Sequence, residues 1–61
     1  MLYLTRTEGE SISIYPEDIP ENMTVAELFA GGPINVEIRE TRSHQCRLGI
    51  HAPEALRIVR N

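Results

Sequence analysis

The sequence predicts a mostly β chain of five short strands with one short α-helix inserted among them, completed by a second copy of itself. Three observations carry that reading. Apolar residues alternate with polar ones before Pro16 and after Pro33, the period lengthens between those two prolines, and the core is thin. Of 61 residues, 41% are apolar, and Tyr3, Tyr15 and Phe29 are the only aromatics. A chain this short buries roughly 60% of the surface it exposes when unfolded, which barely offsets an ordering entropy of about 1.5 kcal/mol per residue. Disulfides, a structural metal or oligomerisation make up the difference in such chains. Cys46 is the sole cysteine, so an internal disulfide and a Cys-rich zinc site are excluded and a second copy is the favoured supplement.

Taken in order, Leu2 and Leu4, then Ile12 and Ile14 beyond Glu8-Gly9-Glu10, show the period of half-buried strands joined by a glycine turn. Tyr15-Pro16 ends the second strand, because proline has no ladder donor and disfavours helix in its predecessor. Met23, Ala26, Leu28, Phe29 and Ala30 then share a helical face. Thr24 and Glu27 have capping-box spacing, Pro20 offers an opening one turn earlier, and Gly31 a stop. The helix is expected over about 22–30, a length that is unstable unless its apolar face docks. Ile34, Val36 and Ile38 are expected inward with Asn35, Glu37 and Arg39 outward, followed by a polar connection from Glu40 to His44 and then Cys46, Leu48 and Ile50 inward. That connection lacks glycine, which predicts a loop of four or five residues rather than a two-residue turn. His51-Ala52-Pro53-Glu54 reads as a turn, and Ala55 to Arg60 as a fifth strand whose uncovered apolar side invites pairing with another subunit. Residues 1–61 form one domain, with no repeat or linker.

The formal charge is −3, so the chain as a whole exerts no pull on nucleic acid or an anionic membrane. The distribution is uneven. Residues 1–33 hold six acids and one arginine, a balance of −5, and residues 34–61 hold five arginines and three acids, +2. Every basic residue is an arginine, whose planar fork can grip a guanine edge or a phosphate with two hydrogen bonds. No apolar run has the length of a signal region or a membrane span, and a lone cysteine agrees with a reducing compartment, so a cytoplasmic protein is expected. Asn22-Met23-Thr24 fits a glycosylation sequon, a three-residue match that arises often by chance.

No Ser/His/Asp order, phosphate-cradling glycine loop or evident carboxylate pair is present, and a chain of this size has little room for a cleft, so an enzyme is not expected. His44 and Cys46 would share a strand face and His51 lies in the next turn, a set that does not converge on a metal within one chain. Neither a metal nor another cofactor is expected.

Met1-Leu2-Tyr3-Leu4-Thr5-Arg6 followed by Gly9-Glu10 resembles the opening of the carbon storage regulator proteins (CsrA/RsmA), small dimeric post-transcriptional regulators of bacteria. Ile34 to Ile50 follows that family's third and fourth strands without a gap, with Gln45-Cys46-Arg47-Leu48-Gly49-Ile50 in place of the usual Gln-Val-Arg-Ile-Gly-Val. His51-Ala52-Pro53 stands where the family has an Asx-Ala-Pro loop, and Ile58-Val59-Arg60 ends in the arginine the family uses on its last strand. These matches cover about two thirds of the chain in the right order and spacing. Three departures stand beside them. Residues 16–33 replace a tight turn, the family's C-terminal helix does not follow Arg60, and Thr7 occupies a position that is often basic. An RsmN-like subgroup, with a helix between strands two and three, resembles the chain more closely. The resemblance leads to the expectation that Val25 to Ala30 cover the core in place of the absent helix.

What the resemblance implies is an interleaved β-sheet homodimer with two RNA sites, each built from the first strand of one subunit and the fifth of the other. The family recognises GGA triplets in mRNA leaders or in small-RNA hairpin loops. Carried over by position, Leu4, Thr5 and Arg6 form one wall, His51, Ala52 and Pro53 offer backbone groups to base edges, and Ile58, Val59 and Arg60 close the site. Arg6, Arg57 and Arg60 are the expected phosphate contacts. Single-stranded RNA, not DNA or a membrane, is then the partner, read through main-chain groups and arginine because a platform of aromatics is lacking. Plainer readings exist for the same residues. Arg60 can be a solvated strand end, Arg6 a partner of Glu8 or Glu10, Leu4 plain core, and Arg47 structural or a phosphate contact at most. The alternative for the whole chain is a CsrA-like protein-interaction or dimerisation module with weak or lost RNA binding.

Overall fold

A computed structural model of the chain describes residues 1–61. Its strands are β1 (Leu2–Thr7), β2 (Ile12–Pro16), β3 (Asn35–Arg42), β4 (Gln45–His51) and β5 (Leu56–Arg60), with α1 (Val25–Leu28) between β2 and β3. They form two separate antiparallel sheets, one in the order β1-β4-β3 and one of β2 with β5. In the first, Leu4 lies opposite Leu48 and Leu2 opposite Ile50, and Val36 continues that row across β3. In the second, Ile12 faces Arg60 and Ile14 faces Ile58. The mostly β reading with one inserted helix is therefore the observed fold.

Four local features differ from expectation. β1 and β2 are joined by a glycine turn but do not pair. Glu10 N–H donates to the Thr7 carbonyl at 2.9 Å around Gly9, whose φ of 88° only glycine adopts freely. That turn hands the chain from one sheet to the other. The β3–β4 loop is two residues, Ser43-His44, instead of four or five, because Ser43 takes the positive φ (41°) that a tight hairpin needs at its first position. His44 accordingly sits in the loop and not on a strand face with Cys46. The third difference is a β-bulge at Arg39, where pairing passes from Ile38 opposite Leu48 to Glu40 opposite Arg47. It shifts the phase of β3, so that Arg39, Glu40 and Arg42 share the side of the sheet that carries Arg47.

The fourth is the helix, a single turn where about 22–30 was expected. Its cap is the anticipated one: Thr24 Oγ1 accepts from Glu27 N–H at 3.1 Å, and the Glu27 carboxylate accepts from Thr24 N–H at 3.2 Å. Residues before it turn instead of winding, with Met23 N–H on the Pro20 carbonyl, and the stop comes at Gly32 (φ 120°) rather than Gly31. No helix residue is buried, and Val25 is 73% exposed. The expectation that residues 25–30 cover the core is thus overturned within one chain, since a one-turn helix presents too little apolar surface to dock.

Only Leu4, Gly49 and Ile50 are buried. Val36 and Ile38, expected inward, are 49% and 67% exposed. They do share the apolar side of the sheet with Leu4, Leu48 and Ile50, but nothing in the same chain lies over them. The radius of gyration of 13.4 Å exceeds the ~10.5 Å expected of a compact chain of this length, and the Cα extents are 44 × 20 × 13 Å. The chain is a thin, spread-out layer with a small core.

Candidate nucleic-acid interface

Arg6 is placed by β1 on the apolar side of the first sheet, opposite Cys46. Its Nε donates to the Thr5 carbonyl at 2.8 Å and its Nη1 to the backbone oxygen of Asn61 at 3.0 Å. Glu10 approaches the same Nη1 at 3.9 Å, leaving the side chain 18% exposed. The partnership with Glu10 allowed by the sequence is therefore present, and Arg6 also spans to the end of β5. Glu10 is itself anchored: its Oε1 accepts from Thr7 Oγ1 at 2.6 Å and from Thr7 N–H at 2.7 Å. Those two bonds, helped by the Arg6 charge, hold its carboxyl below the usual carboxylate range.

At the other side of this junction Asn61 N–H donates to the Ser11 carbonyl at 3.0 Å, and its side-chain amide bonds the hydroxyls of Ser11 and Ser13. Arg60 directly precedes it, opposite Ile12. Arg57 stands opposite Tyr15, on the other side of β5 from Ile58 and Arg60. Both arginines are exposed and neither joins an ion pair. Ile58 and Val59 are half-buried. Leu4 is core, so its side chain positions β1, while Thr5 is exposed on the opposite side.

His51, Ala52 and Pro53 lie at the far end. Leu56 N–H closes their turn on the Pro53 carbonyl at 3.0 Å. An open notch there is lined by Met1, Leu2, the 51–54 turn, Leu56 and Ile58. Leu2 and Leu56 share this notch and Arg6 reaches Asn61, so β1 and β5 point the same way, linked at their ends by side chains and by no ladder. Of the residues named from sequence, His51, Ala52, Pro53 and Ile58 line this notch, Arg6 and Arg60 stand at the other ends of β1 and β5, and Thr5, Arg57 and Val59 fall on the opposite sides of their strands. Ser11, Ser13 and Asn61, which with Glu10 hold the arginine end together, went unnoticed in the sequence, where alternating serines carry no distinguishing signal.

Comparison with family models matches the CsrA global regulator protein family over residues 1–61. The chain belongs to the CsrA family. No curated protein and no solved structure matches it. Membership in the CsrA family makes the chain a post-transcriptional regulator of the RNA-binding kind, from a family that is regulatory and not enzymatic. His44 pairs with Glu8 at 3.8 Å, Cys46 lies on the apolar side of β4 and His51 at its far end, and no three metal-capable side chains gather anywhere. No helix is long and apolar enough to cross a membrane.

Proposed function

We propose that this CsrA-family chain acts in the cytoplasm as a homodimer that binds GGA-bearing single-stranded or hairpin-loop RNA, in mRNA leaders or small RNAs, and thereby regulates translation. The observation that supports the reading is that Arg6 bonds the residue after Arg60, here within one copy, whereas the resemblance implied a first and a fifth strand from different subunits. The His51–Pro53 turn borders a notch at the far end of the same two strands. Guanine suits it, because its edge offers two acceptors to a guanidinium and a donor to a backbone carbonyl. In this reading Arg60 and Arg57 contact phosphate or base. Ala52, Pro53 and Ile58 line the groove, Thr5 and Val59 take part through their backbone groups, His51 does the same, and Leu4 and Arg6 fix its wall. The uncovered Val36 and Ile38 supply the dimer contact.

A gel shift with a GGA hairpin against a scrambled loop tests the reading. Binding that is specific, weakens with salt and is lost in Arg60→Ala supports it, and a mutant that binds as well as the native chain removes the site assignment.

A second reading is a protein-interaction module that has lost RNA affinity. It is favoured by the engagement of Arg6 with Glu10 and by the exposed apolar side of β3. A folded dimer that fails to bind the hairpin at low salt selects it.

A further inference from the structure

The polar side of the first sheet holds a second arginine cluster, distant in role from the groove. Tyr3 lies opposite Gly49, where an added Cβ would stand 3.2 Å from the tyrosine ring and 3.0 Å from Met1 Sδ. The bare glycine lets the ring lie flat across β4. Two guanidinium carbons stand beside that exposed ring, Arg47 at 5.6 Å and Arg39 at 5.8 Å from its centroid. The bulge on β3 makes this possible by bringing Arg39, Glu40 and Arg42 onto the side of Arg47, so that half of the chain's six arginines face one way. Glu37 pairs with Arg39 at 2.9 Å and Glu40 with Arg42 at 3.2 Å, while Arg47, next to the ring, has no carboxylate partner.

We propose that Tyr3, Arg47 and Arg39 form a second RNA contact, which takes an unpaired nucleotide flanking the recognised element. The base stacks on the Tyr3 ring and its phosphates pair with Arg47 and Arg39. The proposal rests on the RNA-binding reading above and extends it to a different side of the sheet. Single-stranded RNA is the occupant because it combines a flat π surface for the ring with regularly spaced negative charge for the guanidiniums, and RNA is what the proposed function brings to the neighbouring site. A shallow, solvent-open depression lies between Tyr3, Arg39, Glu40 and Arg47. β1 connects the two contacts, with Tyr3 and Thr5 on this side and Leu4 and Arg6 on the other, so one RNA strand crossing β1 can reach both.

The test compares a blunt GGA hairpin with the same hairpin carrying short unpaired extensions. The native chain is expected to bind the extended RNA about tenfold more tightly, the scale of one stacked base. Tyr3→Leu and Arg47→Gln should each remove that gain and leave blunt-hairpin affinity unchanged, while Tyr3→Phe, which keeps the ring, should retain it. Equal affinity of the native chain for both RNAs overturns the proposal. So do variants that keep the gain, or variants that lose both RNAs alike despite a native circular dichroism spectrum. Failure of the native chain to bind either RNA overturns the RNA-binding reading itself and this proposal with it.

Discussion

The guanidinium of Arg6 donates to the backbone oxygen of Asn61 at 3.0 Å, across 55 positions of sequence, and so ties the end of one sheet to the end of the other. With Glu10 and the Thr5 carbonyl occupying the rest of its reach, this arginine is first a strut and only then a ligand contact. Arg60 is free on both counts. The two arginines should separate experimentally.

Arg6→Ala is expected to cost about 1–2 kcal/mol in urea denaturation, because charge-assisted bonds to two backbone oxygens are lost. Arg60→Ala should leave the denaturation midpoint within the error of the native chain while removing RNA binding. Arg6→Lys should resemble alanine more than arginine in stability, since an ammonium lacks the fork that reaches both oxygens.

Ile38→Glu probes the uncovered side of β3. If a second copy buries that side, a carboxylate there costs ~2 kcal/mol or more, roughly thirtyfold in dimer dissociation. Sedimentation equilibrium should then find monomers where the native chain is dimeric, and the native melting temperature should rise with protein concentration. An unchanged association constant excludes this side from the interface.

Acid should loosen the junction at Glu10. The folded pKa of its carboxyl is depressed, so the associated stability is present above the unfolded value of about 4.3 and is lost as pH falls through the lower folded value. NMR titration is expected to place the Glu10 midpoint below that of glutamate in an unstructured peptide. Thr7→Val, which removes the hydroxyl donor, should move it back up.

Thr24→Ala removes the N-cap of α1. The local cost is about 1 kcal/mol, or fivefold faster amide exchange at Glu27 and Leu28. Because the helix is docked on neither sheet, the global denaturation midpoint should not move.

The strands were legible where one side of each is apolar and the other polar, as in Leu2 and Leu4 or Leu48 and Ile50, because period-2 alternation records burial directly. The helix cap was legible in Thr24 and Glu27, but the length of the helix was not, since length depends on a docking partner that local sequence does not contain. The hairpin tip was misread because Ser43 adopts a backbone conformation usually left to glycine or asparagine. Val36 and Ile38 announced an apolar side correctly, and nothing in the same chain covers it. Of the groove, the end residues could be named by likeness to a family. The strap through Asn61, Ser11 and Ser13 could not, because it depends on where two sheets stop relative to each other.

The supernumerary residue at Arg39 sets the bend of β3, with Glu40 and Arg42 at its tip both on the polar side. Deleting Arg39 would let the ladder run straight to the hairpin tip with Glu40, Thr41 and Arg42 still opposite Arg47, Cys46 and Gln45, so every side chain would keep its side while the bend and one guanidinium near Tyr3 were lost. Many substitutions at Arg39 would leave that arrangement standing. A homologue one residue shorter at this point would therefore keep the same downstream side chains on the same sides and lay down a straighter strand.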